Sequence, residues 1–354
     1  MKRDKYMGLD VHQATTVVAV KDAEGKLILE TIVPTEATAM RRLVGRFSGP
    51  LHVTLEETTQ AQWLYEVMGG LVSELVVCDP KQNKRPRGLS KGDRKDAVDL
   101  AERIRVGNLV SVWHGHQQTK KLKQLVQAYW TFSVDTQRTM SRIKAVYRGR
   151  GIRTPGMGVY QVSQRSDWLT QLTEPGMRQR TGWLYEELDH LRGLRKQVRA
   201  AMLAESRKHD PVGWLRTIPQ IGPLRASEIV AIMGTPHRFR TNRQLWCYSG
   251  LGVVTHSSAE YELEAGRVVR RSKPVSTRGL NQNCNRRLKY IFVSAATAGV
   301  ATHPYGNYLE SLGQRGIRPE MARLTLARRI ATLALTLWKR GERFDAKKLN
   351  WMMT

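Results

Sequence analysis

The sequence predicts an α/β domain followed by a longer, mainly helical chain. Short apolar runs bounded by turn residues fill the N-terminal part, two long stretches of helical spacing occupy the middle, and a Gly-, Ser- and Arg-rich stretch interrupts the helices near the end. At 354 residues the chain has room for two or three cores.

Residues 6 to 33 read as strands. Tyr6-Met7-Gly8-Leu9 leads to Asp10, and Val17 to Val20 and Leu27 to Leu29 flank the turn-forming Asp22-Ala23-Glu24-Gly25. Met40, Leu43, Val44 and Phe47 give residues 35 to 47 a helical face. Leu51 to Leu55 is a strand closed by Glu56, residues 61 to 69 a helix, and residues 73 to 78 a strand ended by Asp79-Pro80. This order suits a mixed sheet with helices on its faces. A basic loop, Lys81 to Lys95, precedes a helix from Asp96 to Val106 marked by Ala97, Leu100, Ala101 and Ile104.

Two long helices follow, about 117 to 147 and 177 to 208. Leu122, Leu125, Val126, Tyr129 and Trp130 stripe the first; Trp183, Leu184, Leu188, Leu191, Leu194 and Val198 stripe the second. Such spacing predicts an antiparallel hairpin or an oligomeric coiled coil. Beyond Asp210, Ile218-Pro219-Gln220-Ile221-Gly222-Pro223 joins two short helices, a turn of the helix-hairpin-helix kind in which Gly222 presents backbone N–H groups to a phosphate. Residues 286 to 298 and 322 to 339 are closing helices. The expected divisions are 1–115, a helical coiled-coil region at 116–209, a C-terminal domain at 210–345 and a tail at 346–354.

The formal charge is +27, which favours a polyanionic partner. Neither a basic amphipathic anchor nor an apolar span of about 20 residues is present, so no membrane is expected. Cys78, Cys247 and Cys284 are too scattered for a disulfide framework or a zinc cluster. No apolar signal core follows the charged start Met1-Lys2-Arg3-Asp4-Lys5, so a reducing cytoplasm, with nucleoid association, is the expected compartment.

Against this basic background, Asp10 and Glu56 each close an apolar strand, and Asp93 and Asp96 stand three apart beside a helix. Carboxylates from two strands and a helix are what a phosphoryl-transfer site needs to hold divalent ions, Mg²⁺ by preference for oxygen donors and Mn²⁺ as a substitute. First-turn acids also complement a helix dipole, so spacing alone leaves both readings open for Asp93, Asp96 and Asp99. In Thr255-His256-Ser257-Ser258 a serine could attack a phosphodiester with His256 as base, although serines are ordinary in turns. The basic residues expected at nucleic acid are Lys81, Lys84, Arg85, Arg87, Lys91, Arg94 and Lys95, then Arg270, Arg271, Lys273, Arg286 and Arg287. Tyr129, Trp130, Trp183 and Tyr185 fit core packing better than base stacking.

Six segments in order carry a resemblance: Gly8-Leu9-Asp10; Glu56-Glu57-Thr58-Thr59; Lys91-Gly92-Asp93-Arg94-Lys95-Asp96-Ala97; Ile218 to Gly222; Gly250-Leu251-Gly252-Val253 followed by Ser258; and Asn285-Arg286-Arg287-Leu288. Together they resemble the transposases and site-specific recombinases of the IS110 group of insertion sequences, which includes Piv-type DNA invertases. The resemblance implies a RuvC-like, RNase H-fold N-terminal domain with a D-E-D-D metal set at Asp10, Glu56, Asp93 and Asp96. It implies a separate transposase domain with Ser258 as nucleophile, forming a 5′-phosphoserine link to DNA. It also implies a bridge RNA that pairs with donor and target double-stranded DNA, and a tetramer, a dimer of dimers, whose sites combine domains from two subunits.

Ala259, Gly92, Thr59 and Gln220 depart from the family pattern, and the missing glycine after Ser258 keeps Ser257 as a lesser candidate. The alternatives are a junction-resolving nuclease that uses the acids alone, a guide-independent Piv-like invertase, and a basic nucleic-acid scaffold without chemistry.

Overall fold

Strands β1 (Lys5–Val11), β2 (Thr15–Asp22) and β3 (Leu27–Pro34) form an antiparallel meander, with β4 (Leu51–Glu56) and β5 (Glu74–Cys78) added in parallel on the other side of β1. The order across the sheet is β3-β2-β1-β4-β5. This computed structural model describes residues 4–81, 92–114, 117–258, 261–271, 275–300 and 304–346. It separates into units Met1–Gly115 and His116–Thr354.

In the first unit, helices α1 (Ala37–Val44) and α2 (Ala61–Met68) share one core with the sheet, and α3 (Asp93–Arg105) covers the opposite face. Strand β2 shows why both faces are apolar. Its alternate residues Val18 and Val20 enter the larger core, while Val17 and Ala19 meet Ala97 and Ala101 of α3. The turn after β2 has Gly25 at φ 88°, a conformation that favours glycine.

Helix α3 starts at Asp93, three residues before the predicted start. Gly92 precedes it, the Asp96 N–H donates to the Gly92 carbonyl (3.0 Å), and the Asp93 and Asp96 carboxylates favour a helix N-terminus. Its far end is clamped: Arg105 and Lys21 both donate to Glu102, the Lys21 bond tying α3 to β2 at 2.7 Å. These donors, Arg105 first, pull the Glu102 carboxyl down to about 2. A depressed acid stabilises the fold above its unfolded value and loses that contribution as pH falls toward the folded one. Thermal stability should therefore decline between about pH 4.5 and pH 2, and Glu102→Gln should flatten that decline in melts run across the range.

The second unit is mostly helical. Helices α4 (Lys120–Arg148) and α6 (Pro175–Ser206), with the short α5 (Arg165–Thr170) between them, pair antiparallel. At one end Ile143 and Tyr147 meet Tyr185 and Leu188; at the other, Lys121 pairs with Glu205 at 3.2 Å. Trp183, expected in the apolar stripe, is 58% exposed. Tyr185 takes the inside position, its hydroxyl satisfied by that of Tyr147 at 3.1 Å.

Leu122 and Val126 of α4 enter a core with α7 (Asp210–Leu215), α8 (Pro223–Met233) and α9 (Asn242–Tyr248). Helices α10 (Arg286–Ala298), α11 (Tyr305–Gln314) and α12 (Pro319–Arg340) complete it. Between α9 and α10 the polar stretch forms two ribbons: β6 (Val253–Ser258) pairs with β9 (Val275–Leu280), and β7 (Tyr261–Glu264) with β8 (Arg267–Arg270). No helix among the described residues is long and apolar enough to cross a membrane.

Candidate metal centre and serine strand

Asp10 and Glu56 reach the same end of the sheet because their strands are parallel neighbours, with Leu9 in register with Leu55 one residue earlier. Gly8 brings the other two acids. A Cβ built on it would lie 2.1 Å from the Ala97 carbonyl oxygen and 2.5 Å from the Ala101 nitrogen, so the backbone of α3 rests directly on β1. The buried Ala97 and Ala101 keep that approach open, and the first turn of α3 carries Asp93 and Asp96 toward the strand ends.

His12, just beyond β1, completes the cluster. Its Nε2 is 3.4 Å from Asp10 Oδ2 and 3.5 Å from Asp93 Oδ2. One ligand atom from each of Asp10, His12 and Asp93 lies within 4.8 Å of the others. Burial pushes the Asp10 carboxyl up; His12 opposes this, and the charges of Asp93 and Asp96 add to it. Glu56 is likewise raised, by burial first and then by Asp10 and Asp96. Four carboxylates thus share one field, with oxygen donors of the type a divalent cation takes.

The neighbouring acids have other partners. Glu57 is held by His114 Nε2, whose Nδ1 sits 3.0 Å from Gln62 Oε1, and Asp99 pairs with Arg103 at 2.6 Å.

Ser258 is a strand residue here, whereas its polar surroundings suggest a loop. His256, Ser257 and Ser258 pair with Thr277, Ser276 and Val275 through β6 and β9. The segment leading into β6 is fixed. Gly250 takes φ 67°, and a Cβ on it would meet Cys284 Sγ at 2.5 Å. Arg328 Nε donates to the Leu251 carbonyl at 2.7 Å, and the Asn281 N–H donates to that of Gly252 at 3.0 Å.

The basic residues divide. Lys84, Arg85, Arg87, Lys91 and Lys273 lie outside the described residues. Lys81, Lys95, Arg270 and Arg286 are exposed, and Arg286 lines an open groove of about 670 Å³ with Cys284, Lys289 and Tyr290. Arg94 pairs with Glu30 at 3.2 Å while staying largely exposed, and Arg271 pairs with Glu262 at 2.6 Å. Arg287, expected at a nucleic-acid surface, is bonded to buried Glu228 at 2.9 Å and stacks over Trp130. Gly222 caps α8. Gln220, where the family motif has glycine, takes φ 65° and is held there as its carbonyl accepts from Arg225 at 2.6 Å.

Residues 7–149 match the family model of the IS110 DEDD transposases, described as Transposase, and residues 213–309 match that of the Transposase IS116/IS110/IS902 family. The chain belongs to the IS110 transposase family. The two matches follow one another in the order of the two units, the first spanning the acids and the second the serine strand. This IS110-family chain is also 24% identical over 272 residues to a protein of Sinorhizobium fredii (strain NBRC 101917 / NGR234) named "Putative transposase y4qE". That alignment takes in 73% of the chain and spans 65% of the length of the relative.

Proposed function

We propose that this IS110-family chain is a divalent-metal-dependent DNA transposase that cuts and rejoins donor and target DNA through a phosphoserine on Ser258. The observation that carries the reading is the convergence of Asp10, Glu56, Asp93 and Asp96 at one end of the sheet. The sheet order, three antiparallel strands followed by two parallel ones, supports a RuvC-like, RNase H-type domain over residues 1–115. We assign 116–209 to a coiled-coil region, 210–345 to the serine transposase domain and 346–354 to a tail.

Asp10, Glu56, Asp93 and Asp96 would hold Mg²⁺ or Mn²⁺, which when bound supplies charge neutralisation beside a DNA phosphate. In the proposed reaction the Ser258 Oγ loses its proton and bonds to phosphorus. The P–O bond to the 3′ oxygen breaks, that oxygen leaves as a 3′-hydroxyl, and the 5′ phosphate stays on the serine. Attack by a 3′-hydroxyl of another strand reverses these steps and rejoins DNA. The resemblance to the IS110 group supports a bridge RNA as guide and a tetramer gathered around the two DNA duplexes, each site combining the acids of one subunit with the serine of another, and the charge of +27 suits a chain that holds nucleic acid.

The deciding experiment traps the intermediate on a denaturing gel with labelled donor and target DNA plus the RNA transcribed from the flanking element. A covalent adduct is expected with wild-type protein, and Ser258→Ala should remove it, with strand joining reduced by at least about 10³-fold. Cleavage without any adduct would instead favour the junction-resolving nuclease, in which the acids activate water. Full joining after RNase treatment would favour the guide-independent invertase.

A further inference from the structure

We propose that His12 is a nitrogen ligand of the divalent-cation site, and that it gives the site a preference for Mn²⁺ over Mg²⁺. The inference rests on the reading of the acids as a metal site and adds a residue outside the D-E-D-D set. At 3.4 and 3.5 Å from the carboxylate oxygens, His12 Nε2 is beyond good hydrogen-bond range on both sides. It is close to the separation of two ligands that share one ion, about 3 Å for adjacent octahedral positions when each metal–ligand bond is about 2.1 Å. One small adjustment would let a single ion touch Asp10, His12 and Asp93, whose ligand atoms already lie within 4.8 Å of one another.

The backbone of His12 is fixed for the purpose. Its N–H donates to the Thr15 carbonyl at 3.0 Å, and its own carbonyl accepts from Thr35 Oγ1 at 3.0 Å. Thr35 in turn shares a 2.9 Å hydroxyl contact with Thr16 of β2. The imidazole thus projects from a turn anchored at two points, which lowers the entropy lost on binding an ion. Elsewhere in this unit the imidazoles are engaged: His52 bonds Glu74 and stacks on Tyr6, and His114 bonds Glu57 and stacks on Tyr65. Magnesium takes oxygen donors and resists an imidazole, whereas a transition ion accepts nitrogen and carboxylate together.

The test uses the full chain and Mn²⁺ alone, read by electron paramagnetic resonance with pulsed detection of ¹⁴N coupling, with Mg²⁺ affinity measured by competition. Wild-type protein should bind Mn²⁺ with an imidazole ¹⁴N coupling. His12→Ala should lose that coupling and weaken Mn²⁺ by at least about 10-fold, with a smaller change for Mg²⁺. Asp10→Asn should abolish binding of both ions. Mn²⁺ bound without ¹⁴N coupling, or with coupling that survives His12→Ala, overturns the role of His12 and leaves the acidic site standing. Absence of Mn²⁺ binding by a folded wild-type chain overturns the acidic site and the proposal with it. His12 is 48% exposed, so its removal opens no core cavity, and circular dichroism of the variant separates lost binding from lost fold.

Discussion

Gly8→Ala is expected to detach α3 from the sheet and destroy the acidic site in one step. The added methyl would sit 2.1 Å from the Ala97 carbonyl oxygen, 2.5 Å from the Ala101 nitrogen and 2.9 Å from Leu100 Cβ. Two of these three atoms are backbone in the middle of a helix, so no side-chain rotation relieves the clash. Either β1 bends or the whole of α3 lifts. Overpacking of this kind costs about 3 kcal/mol, and lifting α3 carries Asp93 and Asp96 away from Asp10 and Glu56. Amide exchange of α3 should accelerate, the urea midpoint of the N-terminal unit should fall, and Mn²⁺ binding and strand joining should vanish together. Gly70→Ala is the control, because nothing lies within 4 Å of the added atom. Wild-type exchange in α3 of the Gly8→Ala protein would show that the helix does not rest on β1.

That prediction also marks what the sequence makes legible. The strands announce themselves because a sheet covered on both faces needs continuous apolar runs, as in Val17 to Val20, and the acids stand out because they close such runs. Asp93 and Asp96 are visible as a pair, but periodicity cannot say where a helix rests. That depends on Gly8 and Ala97 meeting across about 90 residues of chain, and a lone glycine in a strand has several explanations. His12 left a faint signal, an Asp-x-His at the end of a strand, where residues two apart share a face. The apolar run ends at Asp10 and leaves His12 reading as a turn residue, while the structure extends β1 to Val11. The ribbons around Ser258 were hidden for another reason. Strands β7 and β8 are largely exposed and β6 is rich in polar residues, so cross-strand pairing more than burial makes them strands, and pairing partners are not written in local composition. Arg287 follows the same logic in reverse, since a basic pair at the start of a helix reads as surface in the sequence, while the structure also gives Arg287 a buried partner in Glu228.

Arg287→Ala should cost about 3–5 kcal/mol, the range for stranding a buried charge. The Glu228 side chain on α8 is 6% exposed and accepts from Trp130 Nε1 of α4 at 2.6 Å and from Arg287 Nη2 of α10 at 2.9 Å. The guanidinium also stacks 4.5 Å from the Trp130 ring centroid, so one ion pair ties three helices of the C-terminal core. Arg287 Nε is buried without a hydrogen-bond partner among the described residues, which means the arginine already forgoes one bond to keep this geometry. Removing it leaves the Glu228 carboxylate with the indole N–H as its remaining bonded donor. Arg287→Lys should fall between, keeping the charge but losing the planar stack over Trp130. The informative variant is the double replacement Glu228→Leu with Arg287→Met, which removes both charges and should recover most of the stability, because a buried pair replaced by apolar side chains of similar volume is often neutral. Chemical denaturation and DNA-binding isotherms on the same three proteins separate the two roles of Arg287. Recovered stability with wild-type DNA affinity makes it a core residue. Recovered stability with affinity still reduced would return it to the nucleic-acid surface that its place beside Arg286 suggests.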